Sequence, residues 1–509
     1  MSYNEIYLII LIVFSWTFII FYLSPHINKS KHFSTLGPAL MIKSTKNRGI
    51  LDAVSNRFPG KFFGKISSIF VVAGGLIAFI MLLYEAILIT MMHIPTSAAP
   101  PLNEYLAIPL VNPFIPLGYG TASLVFAVVI HEMFHGIVAR KHGIQVDGVG
   151  ALFFIIPVGA FVEPNEKEIS AADPVIRRRI VAAGPGINMV IAIICITLLI
   201  FVMMPASTPV HNGIYIESSA NANIPKGYEI IKYGNITGNA LNNIGITSNI
   251  TPGMSTVELY NGKTYKNVSV ETGVFISNLI SGFPAGKANV PVNSIISSIN
   301  NKTIYNITTL GNVLNKIAPG TNITMHVITP SHKNKTFNLT TVSTYSYYAK
   351  ADPTANKNIY KNESFIGVGI TYSGLGYIPI KDIHKEVFGA SLFGPGFFAT
   401  LGLPVLGLSP IPLTLTHLFK SPFDPVIFFG IVNTLYWLFW IDFLLGIMNA
   451  LPMGIFDGGQ FFRDSLLIAS RRKRLSFLKE EKNVMKIYYI MALIILMLLI
   501  YIVIAPRII

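Results

Sequence analysis

The sequence contains 509 residues, of which 52% are hydrophobic and only 12% are charged, and its formal net charge is +14. Because an ordinary soluble domain carries about 25% charged residues, this composition indicates a membrane protein. The basic residues gather in short segments beside apolar runs, as in loops that face anionic lipid, which argues against nucleic-acid binding. The single cysteine, Cys195, excludes a disulfide framework and a cysteine zinc site, so a metal ion would have to be held by His, Asp or Glu.

Six apolar runs are long enough to cross a bilayer as a helix, which takes about 20 residues. The first run has Glu5 where a signal peptide carries positive charge, and no small-residue cleavage site follows it, so we expect a retained anchor. The sequence therefore predicts a polytopic α-helical membrane protein with about six transmembrane helices. The runs cover residues 6–24, 66–92, 121–139, 180–204, 425–449 and 487–504.

The distribution of Lys and Arg predicts the orientation of these spans. Eight basic residues and a single acidic residue, Asp52, lie between the first two spans. Basic residues also flank the loop between the third and fourth spans and fill the loop before the last span. With six spans these three loops fall on the same side, and the positive-inside rule places them in the cytoplasm. Both termini and residues 205–424 are then extracytoplasmic.

The large segment between the fourth and fifth spans differs in kind from the rest of the chain. Residues 211–342 form short alternating patterns broken by Gly, Pro and Asn, and they repeat weakly, as Gly213-Ile-Tyr-Ile and Gly273-Val-Phe-Ile show. We therefore predict two small β-rich modules in tandem. The second module contains Ser281-Gly-Phe-Pro-Ala-Gly-Lys-Ala, which resembles the PDZ domains of membrane-associated proteases.

The same segment is rich in Asn-x-Ser/Thr sequons, which fits an exterior position such as an archaeal cell surface. The apolar stretch that follows it is interrupted by Gly and Pro, and we expect a re-entrant or interfacial segment there. The predicted domains are residues 1–65 (anchor helix and basic cytoplasmic loop), 66–205 (membrane core), 206–364 (extracytoplasmic tandem PDZ-like modules), 365–424 (apolar segment) and 425–509 (membrane core).

The third span carries the sequence His131-Glu132-Met133-Phe134-His135, which matches the H-E-x-x-H pattern of metalloproteases. Residues four apart share one face of a helix, so the two imidazoles can bind the same zinc ion. Glu132 follows the first ligand and can take a proton from a water molecule that the metal polarises. Ionisable residues at membrane depth are costly unless they are partnered, and they mark functional sites.

A catalytic zinc ion usually has three protein ligands, so one more is needed. The metzincin pattern requires His at position 141, where this chain has Lys141, and His142 is one place off. Glu163 offers a carboxylate, but its flanking residues predict a loop. Asp457 is the better candidate because it lies where the fifth span breaks after Pro452, although an ordinary turn Asp is the alternative.

The two motifs together resemble the site-2 protease family of intramembrane metalloproteases. The helix-borne His131-Glu-x-x-His135 is paired with a distant Asn449-x-x-Pro452-x-x-x-x-Asp457-Gly458. The order along the chain is also similar. PDZ-bearing members of the family carry that domain between the helix after the histidine motif and the helix that bears the Asp-Gly motif. The resemblance covers mainly residues 121–205 and 425–465.

This resemblance implies one catalytic zinc ion and hydrolysis of peptide bonds in membrane-spanning proteins. The fourth span adds Ala183-Gly-Pro-Gly-Ile-Asn188, similar to a stretch whose Asn is proposed to stabilise the oxyanion. Close helix packing by the glycines, with Asn188 bonded to a neighbour, is the alternative. The implied roles are zinc ligands for His131, His135 and Asp457, general base for Glu132, and supporting positions for Asn449, Pro452 and Gly458.

The expected substrates are single-span membrane proteins, cut towards the cytoplasmic leaflet because the two histidines lie near the inner end of their helix. The outer modules would bind peptides or partner proteins. Residues 150–162 would form a β-like re-entrant loop that presents the substrate as an added strand. Two intramembrane carboxylates, Glu85 and Asp442, receive no assigned role.

Two other functions stay open. A non-catalytic membrane scaffold would have no need of Glu132. A metal-ion transporter would need inverted repeats and polar residues facing one another along several spans, and the sequence shows few of either. Its conduction path would consist of His131, Glu132, His135, Asp442 and Asp457.

Overall fold

A computed structural model of the chain describes residues 3–30, 32–44, 48–92, 99–105, 111–154, 156–351, 360–388 and 395–508. The chain forms two compact units. The first comprises Met1–Val202, Leu392–Pro410 and Gly430–Ile509, and the second comprises Met203–Ser391 and Ile411–Phe429. The second unit therefore interrupts the first in sequence, as expected of an insert.

Helices of six or more residues are numbered in chain order. In the first half of the chain they are α1 (Tyr3–Ile27), α2 (Arg48–Arg57), α3 (Gly60–Met92), α4 (Leu117–Lys141), α5 (Glu166–Ala171) and α6 (Pro174–Leu198). In the second half they are α7 (Ile307–Leu314), α8 (Tyr345–Ala351), α9 (Ile380–Phe388), α10 (Pro395–Gly402), α11 (Pro425–Asn449), α12 (Asp457–Ala469) and α13 (Glu481–Ile504).

Among the described residues, five helices are long and apolar enough to cross a membrane, namely α3, α4, α6 with its continuation to Ala206, α11 and α13. The sequence predicts a sixth span at residues 6–24. Helix α1 covers this region over 25 residues, and Leu11–Ile27 is the part of it whose apolar side chains the structure describes. Five candidate spans are therefore shown, whereas the six-span count and the orientation derived from it stay predictions.

Local sequence signals set the ends of the helices around the histidine motif. Helix α4 ends at Lys141, and Gly143 follows with a φ of +84°, a conformation that glycine adopts without steric cost. Helix α6 begins with Pro174 at its first position, where the missing N–H costs no hydrogen bond. The side chain of Asp173 caps this helix by accepting a hydrogen bond from the backbone N–H of Val175 at 2.8 Å.

A four-stranded antiparallel sheet accompanies these helices. Its strands, in spatial order, are β1 (Phe33–Leu36), β2 (Ala39–Ser44), β3 (Val146–Phe154) and β4 (Ile156–Pro164). The hairpin of β3 and β4 contains the segment 150–162, where a β-like loop is predicted, whereas β1 and β2 lie in the stretch predicted to be a basic loop. A salt bridge between Lys43 of β2 and Glu163 of β4 crosses the sheet.

The second unit is built around a twelve-stranded antiparallel sheet. Two of its strands have two residues each, Ile236–Thr237 and Lys302–Thr303. The other strands are β5 (Ile214–Ser219), β6 (Glu229–Tyr233), β7 (Gly253–Tyr260), β8 (Tyr265–Thr272), β9 (Val274–Leu279), β10 (Ile295–Ile299), β11 (Asn322–Ile328), β12 (Asn334–Thr340), β13 (Val368–Tyr372) and β14 (Leu375–Pro379).

The strand order of this sheet, β8-β7-β6-β5-β14-β13-β9-β10-β11-β12, consists of two similar halves. Strands β5 to β8 form one half and β9 to β12 the other, and each half has its own buried core, around Ile230 and Val257 in the first and around Ile296 and Met325 in the second. The weak sequence repeat thus has a counterpart in the strand order. The assignment of PDZ domains stays a prediction.

The sheet extends beyond residue 364, where the sequence analysis ends the insert. Strands β13 and β14 form a hairpin in which β13 pairs with β9 and β14 pairs with β5, so each strand completes one half. The two-residue turn between them, Ser373-Gly374, has φ values of +53° and +72°, as a type I′ turn requires. These late strands belong to the sheet, which therefore continues past the predicted boundary at 364.

The segment 365–424, predicted to be re-entrant or interfacial, has mixed structure. After the hairpin, helix α9 buries Ile380 and Ile383 within the second unit. Residues 389–394 lie outside the described residues. Helix α10 belongs to the first unit, where the carbonyl oxygen of Thr400 accepts a hydrogen bond from the hydroxyl of Tyr436 at 2.7 Å.

A buried salt bridge holds α12 beside α6. The guanidinium of Arg177 donates to Asp464 in a two-pronged arrangement, with Nη2 2.8 Å from Oδ1 and Nε 3.2 Å from Oδ2. The Asp464 side chain is fully buried and that of Arg177 is 14% exposed. Since α12 begins with Asp457, this pair fixes the helix that carries the predicted third ligand.

We expect Asp464→Asn to destabilise the protein strongly, by about 3–5 kcal/mol, because it leaves the Arg177 cation buried without its counter-ion. Asp173→Asn is a matched control, because Asp173 pairs with Arg471 on the surface, where the two side chains are 45% and 51% exposed. Its effect should stay within about 1 kcal/mol, and Asn retains the helix cap. Thermal unfolding of the purified full chain measures both, and equal shifts would contradict this assignment.

Candidate metal centre

The two histidines of α4 and the aspartate that begins α12 converge on one point. The Oδ2 atom of Asp457 lies 2.9 Å from Nε2 of His131 and 3.2 Å from Nε2 of His135. All three candidate ligand atoms lie within 4.8 Å of one another. In the part of the chain that the structure describes, this is the one group of three or more His, Cys, Asp or Glu side chains with such geometry.

Hydrogen bonds on the far side of each ring fix the tautomers of both imidazoles. Nδ1 of His135 lies 2.8 Å from the carbonyl oxygen of Ile180, which can only accept, so Nδ1 carries the proton. Nδ1 of His131 lies 2.5 Å from Oδ1 of Asn188, which likewise accepts. Both Nε2 atoms therefore present lone pairs towards Asp457.

While both rings are neutral, this arrangement brings together three electron-pair donors. Two neutral imidazole nitrogens and a carboxylate oxygen at these distances repel one another unless a cation lies among them. Zn²⁺ takes this type of donor set, with imidazole nitrogen and carboxylate oxygen as ligands. The residues present thus fit the metal that the sequence predicts.

Helix α6 leaves room for the centre through a glycine. A Cβ atom on Gly184 would collide with Nε2 of both His131 and His135. From the sequence this glycine is predicted only to allow close helix packing, since its approach to the histidines depends on how α4 and α6 cross. The surface of α6 that faces the centre is therefore bare backbone.

Asp457 reaches the histidines because the chain breaks its helix just before it. Helix α11 ends at Asn449, and α12 begins at Asp457 after a seven-residue connection that contains Pro452. A Cβ atom on Gly458 would collide with the carbonyl oxygens of the residues directly after α11, so glycine is needed there for close approach. The amide of Asn449 donates to the carbonyl of Leu445 in its own helix at 3.1 Å and does not join the three ligands.

Glu132 is half-buried on α4, next to the first histidine. Within the described residues no hydrogen bond or ion pair holds its carboxylate. The side chain is close enough to His135 for its charge to act on that ring. A carboxylate that is near the centre and not engaged elsewhere is available to accept a proton.

Asn188 is fully buried and lies behind His131. Its Nδ2 donates to the carboxylate of Asp442 at 2.5 Å and to the carbonyl oxygen of Ala127 at 3.2 Å, while its Oδ1 faces His131. A primary amide has two hydrogens, and both are used by these contacts. This geometry suits a residue that orients His131. The oxyanion role predicted from the sequence would require Nδ2 to give up one of these two hydrogen bonds.

The other candidates from the sequence lie apart from this centre. Glu163 pairs with Lys43 and is not part of the group formed by His131, His135 and Asp457. His142 lies beyond the end of α4, and Glu85 is exposed on α3. Asp442, which the sequence leaves without a role, contacts the centre through Asn188.

The family model for peptidase family M50 matches residues 119–497, a range that contains both motifs and most of the chain. The chain belongs to peptidase family M50. M50 peptidases, the site-2 protease family, are zinc metalloproteases, in agreement with the enzyme class predicted from the sequence. The archaeal origin of this M50 chain stays a prediction.

This M50 chain is also 42% identical over 92 residues to an uncharacterised protein of Methanocaldococcus jannaschii. The shared stretch is 18% of this chain and 24% of that protein, so the chain matches about a quarter of the relative's length. The similarity is therefore local and does not extend to the whole of either protein.

We expect the purified M50 chain to bind one zinc ion tightly. Asp457→Asn should weaken zinc binding by at least about 100-fold, because loss of a residue that only orients a ligand already lowers metal affinity about 10–100-fold. Glu163→Gln is the control, since it removes one carboxylate outside the centre. Zinc affinity by chelator competition gives the measurement. Unchanged affinity in the Asp457 variant would remove this residue from the ligand set.

Proposed function

We propose that this M50 chain is an intramembrane zinc metalloprotease that hydrolyses peptide bonds of membrane-spanning proteins. One observation carries the proposal: His131, His135 and Asp457 direct three electron-pair donors to one point, and two of them lie on a helix long and apolar enough to span a membrane. The three residues are the proposed zinc ligands, and the family supports zinc as the metal.

When bound, the zinc ion would act as a Lewis acid on the scissile carbonyl and on the attacking water. Glu132 is the proposed general base. Its carboxylate takes the proton of the water whose oxygen forms the new C–O bond, and it returns the proton to the amide nitrogen when the C–N bond breaks. The Nδ1–H groups of His131 and His135 donate hydrogen bonds to Asn188 and Ile180, and this leaves both Nε2 atoms available to the metal.

The proposed contribution of Asn188 is to orient His131. The alternative from the sequence, donation to the developing oxyanion, stays a prediction, and it requires the Nδ2 group to leave Ala127 or Asp442. Asn449, Pro452 and Gly458 are proposed to act through the backbone, because they end α11 and let α12 begin close beside it.

The proposed substrates are single-span membrane proteins, presented to the centre as an extended segment. Strand β4 supports this idea, because among the described residues it pairs only with β3 and so offers a second edge for an added strand. The strand also packs against α4, where Val162 contacts Gly136 one residue beyond His135. An unwound substrate would be placed beside the histidine helix in this way.

The proposed location is the cell membrane, with the active site towards the cytoplasmic leaflet and the β-rich insert outside. The distribution of basic residues along the chain supports this orientation. The insert would bind peptides or partner proteins through its PDZ-like modules, and so take part in regulated intramembrane proteolysis.

The transporter and scaffold hypotheses are less well supported. A conduction path requires ionisable side chains spaced along the membrane, whereas His131, His135 and Asp457 meet at one point. Asp442 contacts Asn188 and does not continue a path of charges. A scaffold would not need a half-buried carboxylate beside the ligands.

We expect Glu132→Gln to lower cleavage of a panel of single-span proteins by about 10²–10⁴-fold, the usual contribution of a general base. Zinc content should not change, because Glu132 is not a ligand. Glu85→Gln removes another carboxylate of a membrane helix and should leave the cleavage rate intact. Equal cleavage by the wild type and the Glu132 variant would contradict the proteolytic function.

A further inference from the structure

Three cations at the first turns of α3 and α6 surround a cavity that the proposed reaction does not use. Lys65 of α3 and Arg178 and Arg179 of α6 line a space of about 430 Å³. Its remaining wall is mostly apolar and includes Val72 and Phe461. The cavity therefore has a basic end and an apolar side.

These cations have no carboxylate partners. Within the described residues no ion pair involves Lys65, Arg178 or Arg179, whereas the adjacent Arg177 is paired with Asp464. Nε of Arg178 is buried without a hydrogen-bond partner, and its guanidinium lies 5.5 Å from the ring centre of Phe461. The only carboxylate whose charge acts on Arg178 among the described residues is Asp464, which is already paired with Arg177, so most of the positive charge in this cavity is left without a partner.

The charge of Arg179 also acts on a histidine outside the cavity lining. His142 lies just past the end of α4. Burial, together with the positive charges of Arg179 and Lys61, lowers the pKa of His142 below its usual range. Lys61 therefore adds to the positive charge near Arg179.

An apolar groove continues from the basic cavity. A second space of about 300 Å³ shares Val72 and Phe461 with the first and extends along α3 to Phe79. From Lys65 to Phe79 the helix rises about 21 Å, at 1.5 Å per residue. This length is close to one leaflet, since the hydrocarbon core is about 30 Å thick and headgroups add to each side.

We propose that this groove binds an anionic membrane lipid. The phosphate of the headgroup would lie among Lys65, Arg178 and Arg179, and one chain would lie along α3 towards Phe79. Charge favours an anionic over a zwitterionic lipid, because cations without carboxylates between them attract net negative charge. The continuous apolar groove favours a lipid over a free phosphate ion, which would contact only the basic end.

Lipid in this groove would also contact the element that carries the proposed third ligand. Gly458 and Phe461 of α12 line the groove, and Asp457 precedes them. This consequence rests on the proposed function, whereas lipid binding itself does not. The binding test can therefore be made on zinc-free protein, so that its failure is distinct from failure of the proteolytic function.

The test titrates the full chain in a non-ionic detergent with dioctanoyl phosphatidylglycerol, dioctanoyl phosphatidylcholine or inorganic phosphate, and counts bound lipid by native mass spectrometry. The wild type should bind phosphatidylglycerol at least about ten-fold more tightly than phosphatidylcholine. Arg178→Gln/Arg179→Gln should lose this preference. Arg472→Gln/Lys479→Gln, which removes two exposed cations elsewhere, should keep it.

Three results would overturn the lipid site. These are equal affinity for the two lipids, competition by inorganic phosphate at the same concentration as phosphatidylglycerol, or an equal loss of preference in the control variant. Lys65→Gln provides a second variant if loss of the Arg178 contact with Phe461 prevents folding. It should lower the preference by a smaller factor, and an unchanged preference would also contradict the site.

A separate observation concerns Asp442, which lies behind the metal centre on α11. The residue is fully buried, its Oδ1 accepts a hydrogen bond from Asn188, and its Oδ2 has no partner among the described residues. Asn188 in turn accepts the Nδ1 proton of His131. Three helices are linked in this way, α11 through α6 to α4.

We infer that Asp442 is a positioning residue for His131. An amide side chain can turn over, and a turned Asn188 would present its NH₂ group to Nδ1 of His131. The proton of the imidazole would then move to Nε2, where it would block the metal. Asp442 prevents this because its carboxylate accepts from Nδ2 and so holds the amide in one orientation.

This inference rests on the proposed metal centre, and two variants test it. Asp442→Ala should weaken zinc binding by about 10–100-fold and change the visible absorption of the cobalt-substituted protein, because the ligand geometry is no longer fixed. Asp442→Asn can still accept from Asn188 and should restore most of the affinity. If the wild type binds zinc and Asp442→Ala binds it equally, the positioning role is wrong; if the wild type binds none, the metal centre itself is wrong.

Discussion

The site depends on three side chains that direct electron-pair donors to one point. Two imidazole nitrogens and a carboxylate oxygen meet inside a bundle of apolar helices, where charge and lone pairs are poorly screened. Ile180 and Asn188 accept the Nδ1 protons, so the Nε2 lone pairs of the neutral rings face Asp457. The surrounding elements keep these three groups together, as a metal site would require.

Different contacts hold the two sides of this centre. The histidines come from one uninterrupted helix, and their spacing is secured by its geometry alone. Asp457 comes from a second helix that must be placed independently. The Arg177–Asp464 pair fixes that helix against α6, and Gly458 lets it approach the end of α11. Gly184 completes the arrangement, because bare backbone on α6 leaves the ligand atoms unobstructed.

The sequence could predict features that involve residues close together along the chain, and it could not predict contacts between distant residues. The pairing of His131 with His135 is a matter of one helical turn, and the break before Asp457 is marked by Pro452 and glycine. The contact of Asp442 with Asn188 joins residues 254 positions apart, and no local pattern encodes it. The late hairpin of β13 and β14 could likewise not be predicted, because nothing in two five-residue strands indicates that they pair with β9 and β5.

The arrangement of the large sheet has a consequence for how the chain is made. Strand β5 is among the first of the insert to leave the ribosome, yet its partner β14 ends only at Pro379. Strand β5 therefore keeps one unpaired edge until more than a hundred later residues have been synthesised, and β9 does so until about ninety have been. Neither half has all of its strands until this last hairpin is synthesised, so two strand edges stay open to pairing with other chains until then.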